Sequence, residues 1–245
     1  MTNALFEHHR VPATHAEPGL LEGTAYLWTM PDDACADESA SRRATHSGAG
    51  RLLARLALSH CCQVRPQDWK LGHDARGRPV IVAPTEHRDI SISVSHTDGL
   101  VACLISRHEM AAVDVERIRP WDDLPFLAPQ ILSISEQCSL AGLDGKAWLR
   151  RFFEYWTLKE AYAKAIGVGL VCDLASVSFD LGSGCDVTAR FADGDVASDW
   201  LFRRLALGTK RTGAIAIKTG PTKICRVVHT ELASDRLARE LSRIS

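Results

Sequence analysis

Phe152–Gly169, FFEYWTLKEAYAKAIGVG, dictates an aromatic-rich helix that places an acid and two bases close together. Residues four apart on a helix share a face, so Glu160 and Lys164 can reach a common point. Trp156 lies one turn before Glu160 and can wall that point from water. Lys159 points about 100° away. Gly167 supplies a natural stop. A solvated salt-bridge helix carries the same Glu and Lys spacing, so the helix alone leaves both readings open.

Upstream, Met110–Glu116 reads MAAVDVE, with Val113 and Val115 alternating with Asp114 and Glu116. Period two is the signature of a strand with one buried face. Asp114 and Glu116 therefore leave the strand on the same side, roughly 7 Å apart at Cα. Like charges so placed repel unless something cationic sits between them. Oxygen-only ligands suit a hard cation, Mg²⁺ with a phosphate-bearing substrate being the usual case. An edge strand with its polar groups facing water is the alternative.

Earlier still, Ile90, Ile92 and Val94 alternate with Ser91, Ser93 and Ser95, predicting a strand that ends at Thr97-Asp98-Gly99. Asp-Gly signals a turn, and the apolar run Leu100–Ile105 completes a hairpin. Ser95 and His96 stand at the strand end, where small polar donors can meet a phosphate.

Taken in order, Gly77-Arg78-Pro79, Ser95-His96-Thr97, Val113-Asp-Val-Glu116 and Trp156-Thr-Leu-Lys-Glu-Ala161 with Lys164 resemble 4′-phosphopantetheinyl transferases of the surfactin-synthetase-activating (Sfp) class. Family members carry G-[KR]-P, S-H-[ST], G-[VI]-D-[VIL]-E and W-[ST]-x-K-E-[AS]-x-x-K in that order. They tend to continue with G-x-G-L, as Gly167-Val-Gly-Leu170 does here. The match spans roughly residues 70–180. Ala112 replaces the usual glycine before the Asp, and Val94 replaces a leucine or isoleucine before Ser-His. Neither change removes a functional group.

The resemblance implies an α+β pseudo-dimer of two similar subdomains with the active site in the cleft between them. Residues 1–110 would form the coenzyme A side, and residues 111–245 the metal and catalytic side. It further implies transfer of the phosphopantetheine arm of coenzyme A to a serine of an acyl or peptidyl carrier protein, releasing 3′,5′-ADP. Asp114, Glu116 and Glu160 would hold Mg²⁺, with Mn²⁺ as a substitute. Glu160 would take the serine proton, and Lys164 would stabilise or protonate the departing phosphate. Arg78, Ser95 and His96 would hold the nucleotide end of coenzyme A, and Lys159 would contact the pyrophosphate or cap the cleft. Arg42, Arg43 and Arg51 are further phosphate partners or simply a solvated face. Arg150, Arg151 and Leu170–Leu174 are expected on the carrier side, whereas the acidic block Asp193–Asp199 is not. Members of this length lean towards secondary metabolism, but no residue selects among fatty-acid, polyketide and nonribosomal-peptide carriers. A silent coenzyme A-binding module and a Mg²⁺-dependent phosphohydrolase are the competing readings.

Composition agrees. A chain of 245 residues, 46% apolar and 24% charged, can bury a proper core. A net charge of −1 offers no basic field to recruit nucleic acid or membrane. No window reads as a membrane span and Met1–Arg10 lacks an apolar core, so a cytoplasmic protein is expected. The eight cysteines include no C-x-x-C pair, which argues against zinc and for free thiols. A monomer follows from the pseudo-dimer expectation. Predicted elements are strands at Gly23–Met30, Ser176–Leu181, Asp199–Ala206 and Gly213–Lys218. Helices are predicted at Asp37–Cys62, Ser133–Leu143, Lys146–Ile166 and Glu231–Leu241. Gly72–Pro79 reads as a loop, and Arg117–Pro129 as irregular chain or a short helix.

Overall fold

The computed structural model describes residues 6–9, 20–32, 42–168, 173–192, 197–220 and 225–232. The chain divides into two compact units, Met1–Ala111 with Ile224–Ser245, and Ala112–Lys223. Both combine helix with sheet, so the fold class is α+β as expected.

The first unit is built on a five-stranded sheet: β1 (Phe6–His9), β12 (Arg226–Glu231), β2 (Thr24–Met30), β6 (Leu100–Ser106) and β5 (Ser91–Thr97), in that spatial order. β12 runs parallel to β1 and β2, while β2–β6 and β6–β5 are antiparallel. A C-terminal subdomain running to residue 245 thus does not account for β12, which completes the first sheet. The β5–β6 turn is the anticipated Asp98-Gly99, with Thr97 opposite Leu100. Gly99 takes a φ of 75°, a conformation glycine adopts without a Cβ penalty. Helix α1 (Arg42–Cys62) packs on β6, β5 and β2 through Leu53, Ala57, Leu58 and Cys61, recurring at helical spacing. Trp28, Met30, Ile92, Cys103 and Ile105 meet it in the core. The segment read as a loop over Gly72–Pro79 is the turn of a hairpin, with its ends belonging to β3 (Lys70–His73) and β4 (Pro79–Ala83). Only residues 74–78 turn, because Oδ1 of Asp74 accepts the backbone N–H groups of Arg76 and Arg78, both at 2.9 Å.

The second unit orders β10 (Trp200–Leu205), β11 (Arg211–Lys218) and β7 (Ala111–Arg117) in one sheet. α4 (Gly145–Ile166) packs on β11 and β10. It buries Phe152, Phe153, Tyr155, Leu158, Ala161 and Ala165, and Gly167 ends it at φ 73° as the sequence predicts. α2 (Leu124–Ile131) resolves the proline-rich connection into a helix. α3 (Ile134–Leu140) starts at the anticipated capping box of Ser133 and Glu136. β8 (Val177–Leu181) and β9 (Val187–Phe191) form a hairpin beside it; β9 carried no signal in the sequence reading. The predicted terminal helix falls outside the described residues from 233 onward, and Glu231 itself belongs to β12.

Candidate active site

β7 and α4 assemble the site within the second unit. Val113 and Val115 anchor β7 in the core at 0% exposure, which turns Asp114 and Glu116 to its other side. That side is not open to water: Asp114 is 3% exposed and Glu116 half-buried. The one-sided strand expected from alternation is instead covered on both faces, because α4 lies over the acidic one. Lys164 Nζ donates to Asp114 Oδ1 at 2.6 Å, and the Trp156 indole N–H donates to the Glu116 carboxylate. Trp156, Glu160 and Lys164 follow one another at single-turn spacing on α4, so Glu160 stands between these two contacts. The Trp156 ring is braced on Phe152, whose ring stacks in turn on Trp148.

Electrostatics confirm that the groups share one place. Burial pushes the Glu116 carboxyl up to about 7, with the Asp114 charge adding to the rise and the Trp156 and Lys164 contacts opposing it. Burial also raises Glu160, again with Asp114 adding and Lys164 opposing. Three carboxylates are thus gathered around one ammonium, and two of them are held above their ordinary range.

Among the described residues, no group of three or more His, Cys, Asp or Glu side chains stands ready-arranged around a metal position. The donor chemistry nevertheless fits a hard cation. The set is oxygen-only, and Oε1 of Glu160 is buried with no hydrogen bond. The mutual repulsion of the carboxylates is what a divalent ion would relieve.

Lys159 corrects the sequence reading. Expected at coenzyme A, it is completely buried. Its ammonium donates to the carbonyls of Leu174 at 2.8 Å and Val177 at 2.6 Å, and pairs with Glu136 Oε2 at 2.8 Å. An ammonium has three protons, and these contacts use them. Glu136 is the residue sequence reasoning missed. Its capping-box spacing was legible, but nothing in that pattern says that the same carboxylate meets a lysine of the next helix.

Arg78, Ser95 and His96 belong to the first unit. Arg78 sits on the β3–β4 turn, where its Nε meets Asp74 Oδ2 at 2.8 Å. Ser95 is buried near the end of β5, and His96 beside it is exposed. Arg51 is exposed on α1, while Arg42 and Arg43 form its first residues. Arg150 is tied to the carbonyls of Gly208 and Thr209, both at 2.9 Å, and Arg151 pairs with Glu154 at 3.4 Å. Of the expected carrier-side apolar stretch, residues 170–172 lie outside the described residues and Leu174 is buried. Residues 193–196 of the acidic block also lie outside them. No helix among the described residues is long and apolar enough to cross a membrane.

Residues 110–218 match the model of the 4′-phosphopantetheinyl transferase superfamily, a span that contains every member of this cluster. The chain is 28% identical to the 4′-phosphopantetheinyl transferase HetI of Nostoc sp., over 62% of this chain and 72% of that protein. It is 31% identical to the 4′-phosphopantetheinyl transferase gsp of Aneurinibacillus migulanus, over 54% of this chain and 52% of that one. The human L-aminoadipate-semialdehyde dehydrogenase-phosphopantetheinyl transferase is 25% identical, over 73% of this chain and 62% of its own length. A partly buried acid pair on β7, met by an acid and a lysine one turn apart on α4, thus lies within the region of this chain that is similar to the 4′-phosphopantetheinyl transferase superfamily.

Proposed function

We propose that the protein transfers the 4′-phosphopantetheine arm of coenzyme A to a serine of an acyl or peptidyl carrier protein, in a Mg²⁺-dependent reaction that releases 3′,5′-ADP. The observation that carries this reading is the meeting of Asp114, Glu116, Glu160 and Lys164 in one partly buried cluster.

The serine hydroxyl is a weak nucleophile, so its attack on the β-phosphorus requires a carboxylate to accept its proton. Glu160 suits that task. Its raised affinity for protons makes it a stronger base than a solvated glutamate, and its unbonded Oε1 leaves an acceptor ready. The new bond joins serine oxygen to phosphorus as the bond to the 3′,5′-ADP oxygen breaks. Negative charge develops on the departing phosphate, and Lys164 offsets it from the same helix face. Asp114, Glu116 and Glu160 are the residues that would hold Mg²⁺, which when bound supplies positive charge to the pyrophosphate oxygens. Transfer of this kind leans on positioning and charge, so no Cys or Ser nucleophile of the enzyme is required. Arg78, Ser95 and His96 are assigned to the nucleotide end of coenzyme A.

Intact mass of an apo carrier tests the proposal, measured after incubation with the protein, coenzyme A and Mg²⁺. The carrier gains the mass of the phosphopantetheine arm, and chelator or Glu160→Gln abolishes the gain. No gain across peptidyl, polyketide and fatty-acid carriers overturns the reading. Cleavage of coenzyme A without any carrier would favour a hydrolase instead.

A further inference from the structure

Glu136 and Lys159 pair at 2.8 Å, and both are completely buried. Their network is dense. Oε1 of Glu136 accepts from the backbone N–H of Phe179 at 2.8 Å, and Oε2 accepts from that of Ser133 at 2.8 Å. Lys159 adds the carbonyls of Leu174 and Val177, and its ammonium stands 5.5 Å from the centre of the Phe179 ring. One ion pair therefore ties together the start of α3, the middle of α4, the short 3₁₀ turn at Leu174–Ser176 and the start of β8.

Stability alone does not account for such a pair. Desolvating two charges costs about as much as their attraction returns, and apolar replacements of similar volume often do as well. What the pair supplies is a directed constraint. Lys159 is bonded directly to Glu160, and Lys164 follows five residues on, so clamping Lys159 sets the rotation of the helix that carries both. At the outer radius of a helix, about 5–6 Å, a turn of roughly 10° moves a side-chain head by about 1 Å. A misplacement of that size costs on the order of 100-fold in rate.

We propose that the Glu136–Lys159 pair is a positioning device for α4, one that aims Glu160 and Lys164 at the β7 carboxylates without touching substrate. The inference rests on the transferase reading above.

The test uses the full chain with Lys159→Met and with the double variant Lys159→Met/Glu136→Gln. The single variant leaves Glu136 buried without its cation and is expected to melt early. The double variant removes both charges and is expected to fold, binding coenzyme A with a calorimetric Kd within about twofold of wild type. Its carrier KM stays similar, while kcat falls by roughly 10- to 100-fold. If the double variant fails to fold, Glu136→Gln alone keeps an acceptor for Lys159, and a smaller loss of kcat at unchanged KM is expected from it. A folded double variant with wild-type kcat overturns the inference, as does a loss of kcat matched by lost coenzyme A binding. Wild-type protein in the same assay separates the two levels: no transfer by wild type removes the transferase reading, and with it this inference.

Discussion

Gly213→Ala perturbs the site through the backbone that carries it. Gly213 lies on β11, and a Cβ placed there would come within 2.7 Å of the Asp114 carbonyl oxygen. It would also meet Val115 Cγ1 at 2.9 Å and Leu207 Cδ1 at 3.1 Å. The side chains can yield, but the nearest atom is main chain of a buried strand. Restoring an ordinary 3.4 Å contact requires about 0.7 Å of movement between the strands. Overpacking of this kind costs about 1–3 kcal/mol. At about 2–4 °C per kcal/mol for a chain of this size, the melting temperature falls by roughly 2–12 °C. The displaced residue is Asp114, whose carboxylate holds Lys164 at 2.6 Å, so the effect reaches the chemistry as well. A shift of several tenths of an ångström there lowers kcat by about tenfold. Scanning fluorimetry and the carrier mass assay, run well below the melting temperature, read the two effects separately. Gly142→Ala is the control, because a Cβ there meets nothing within 4 Å and leaves both quantities unchanged. A Gly213→Ala protein with wild-type melting temperature and kcat would refute the argument that β11 and β7 touch too closely for any side chain.

The raised Glu116 carboxyl makes stability fall as pH rises. The folded state holds its proton up to about 7, against an ordinary 4.5, so folding is favoured below 4.5 and that advantage is lost as pH rises through 7. The ceiling is about 3 kcal/mol at 1.36 kcal/mol per unit, less whatever solvent screens at this half-buried group. In metal-free buffer the melting temperature should fall from pH 5 to 7.5. Glu116→Gln should flatten that slope, and an unchanged slope in the variant would assign it to other groups. Arg78→Ala should raise KM for coenzyme A by roughly tenfold, the worth of a charge-assisted hydrogen bond, with kcat unchanged. Its pair with Asp74 is solvent-exposed, so the melting temperature should barely move. An unaltered KM would remove Arg78 from the coenzyme A site.

Local order in the chain is enough to read much of this protein. Alternation of Val113 and Val115 with two acids marks β7, and single-turn spacing of Trp156, Glu160 and Lys164 marks one side of α4. Ser133 with Glu136 announces the start of α3, Gly167 the end of α4, and Asp98-Gly99 the β5–β6 turn. These features depend on periods of two and 3.6 residues and on caps, all of which act over a few positions. The candidate site was legible for the same reason, since each pair of its groups is local to one element and the motifs stand in family order.

Long-range pairing was not legible. β12 reads as ordinary chain until it lies between β1 and β2, and the loop read over Gly72–Pro79 gave no sign of the strands β3 and β4 that flank its turn. Lys159 shows the limit most clearly. Its sequence setting, beside Glu160 on the same helix, is that of a phosphate ligand. Helical rotation by 100° sends it instead into the core, where Glu136, Leu174 and Val177 take its protons. The sequence by itself determined which elements carry the acids and the lysine, because that depends on neighbours along the chain. Only the tertiary structure decided which charged groups would be buried as a pair and which would gather at β7, because burial and Coulomb energy depend on neighbours in space.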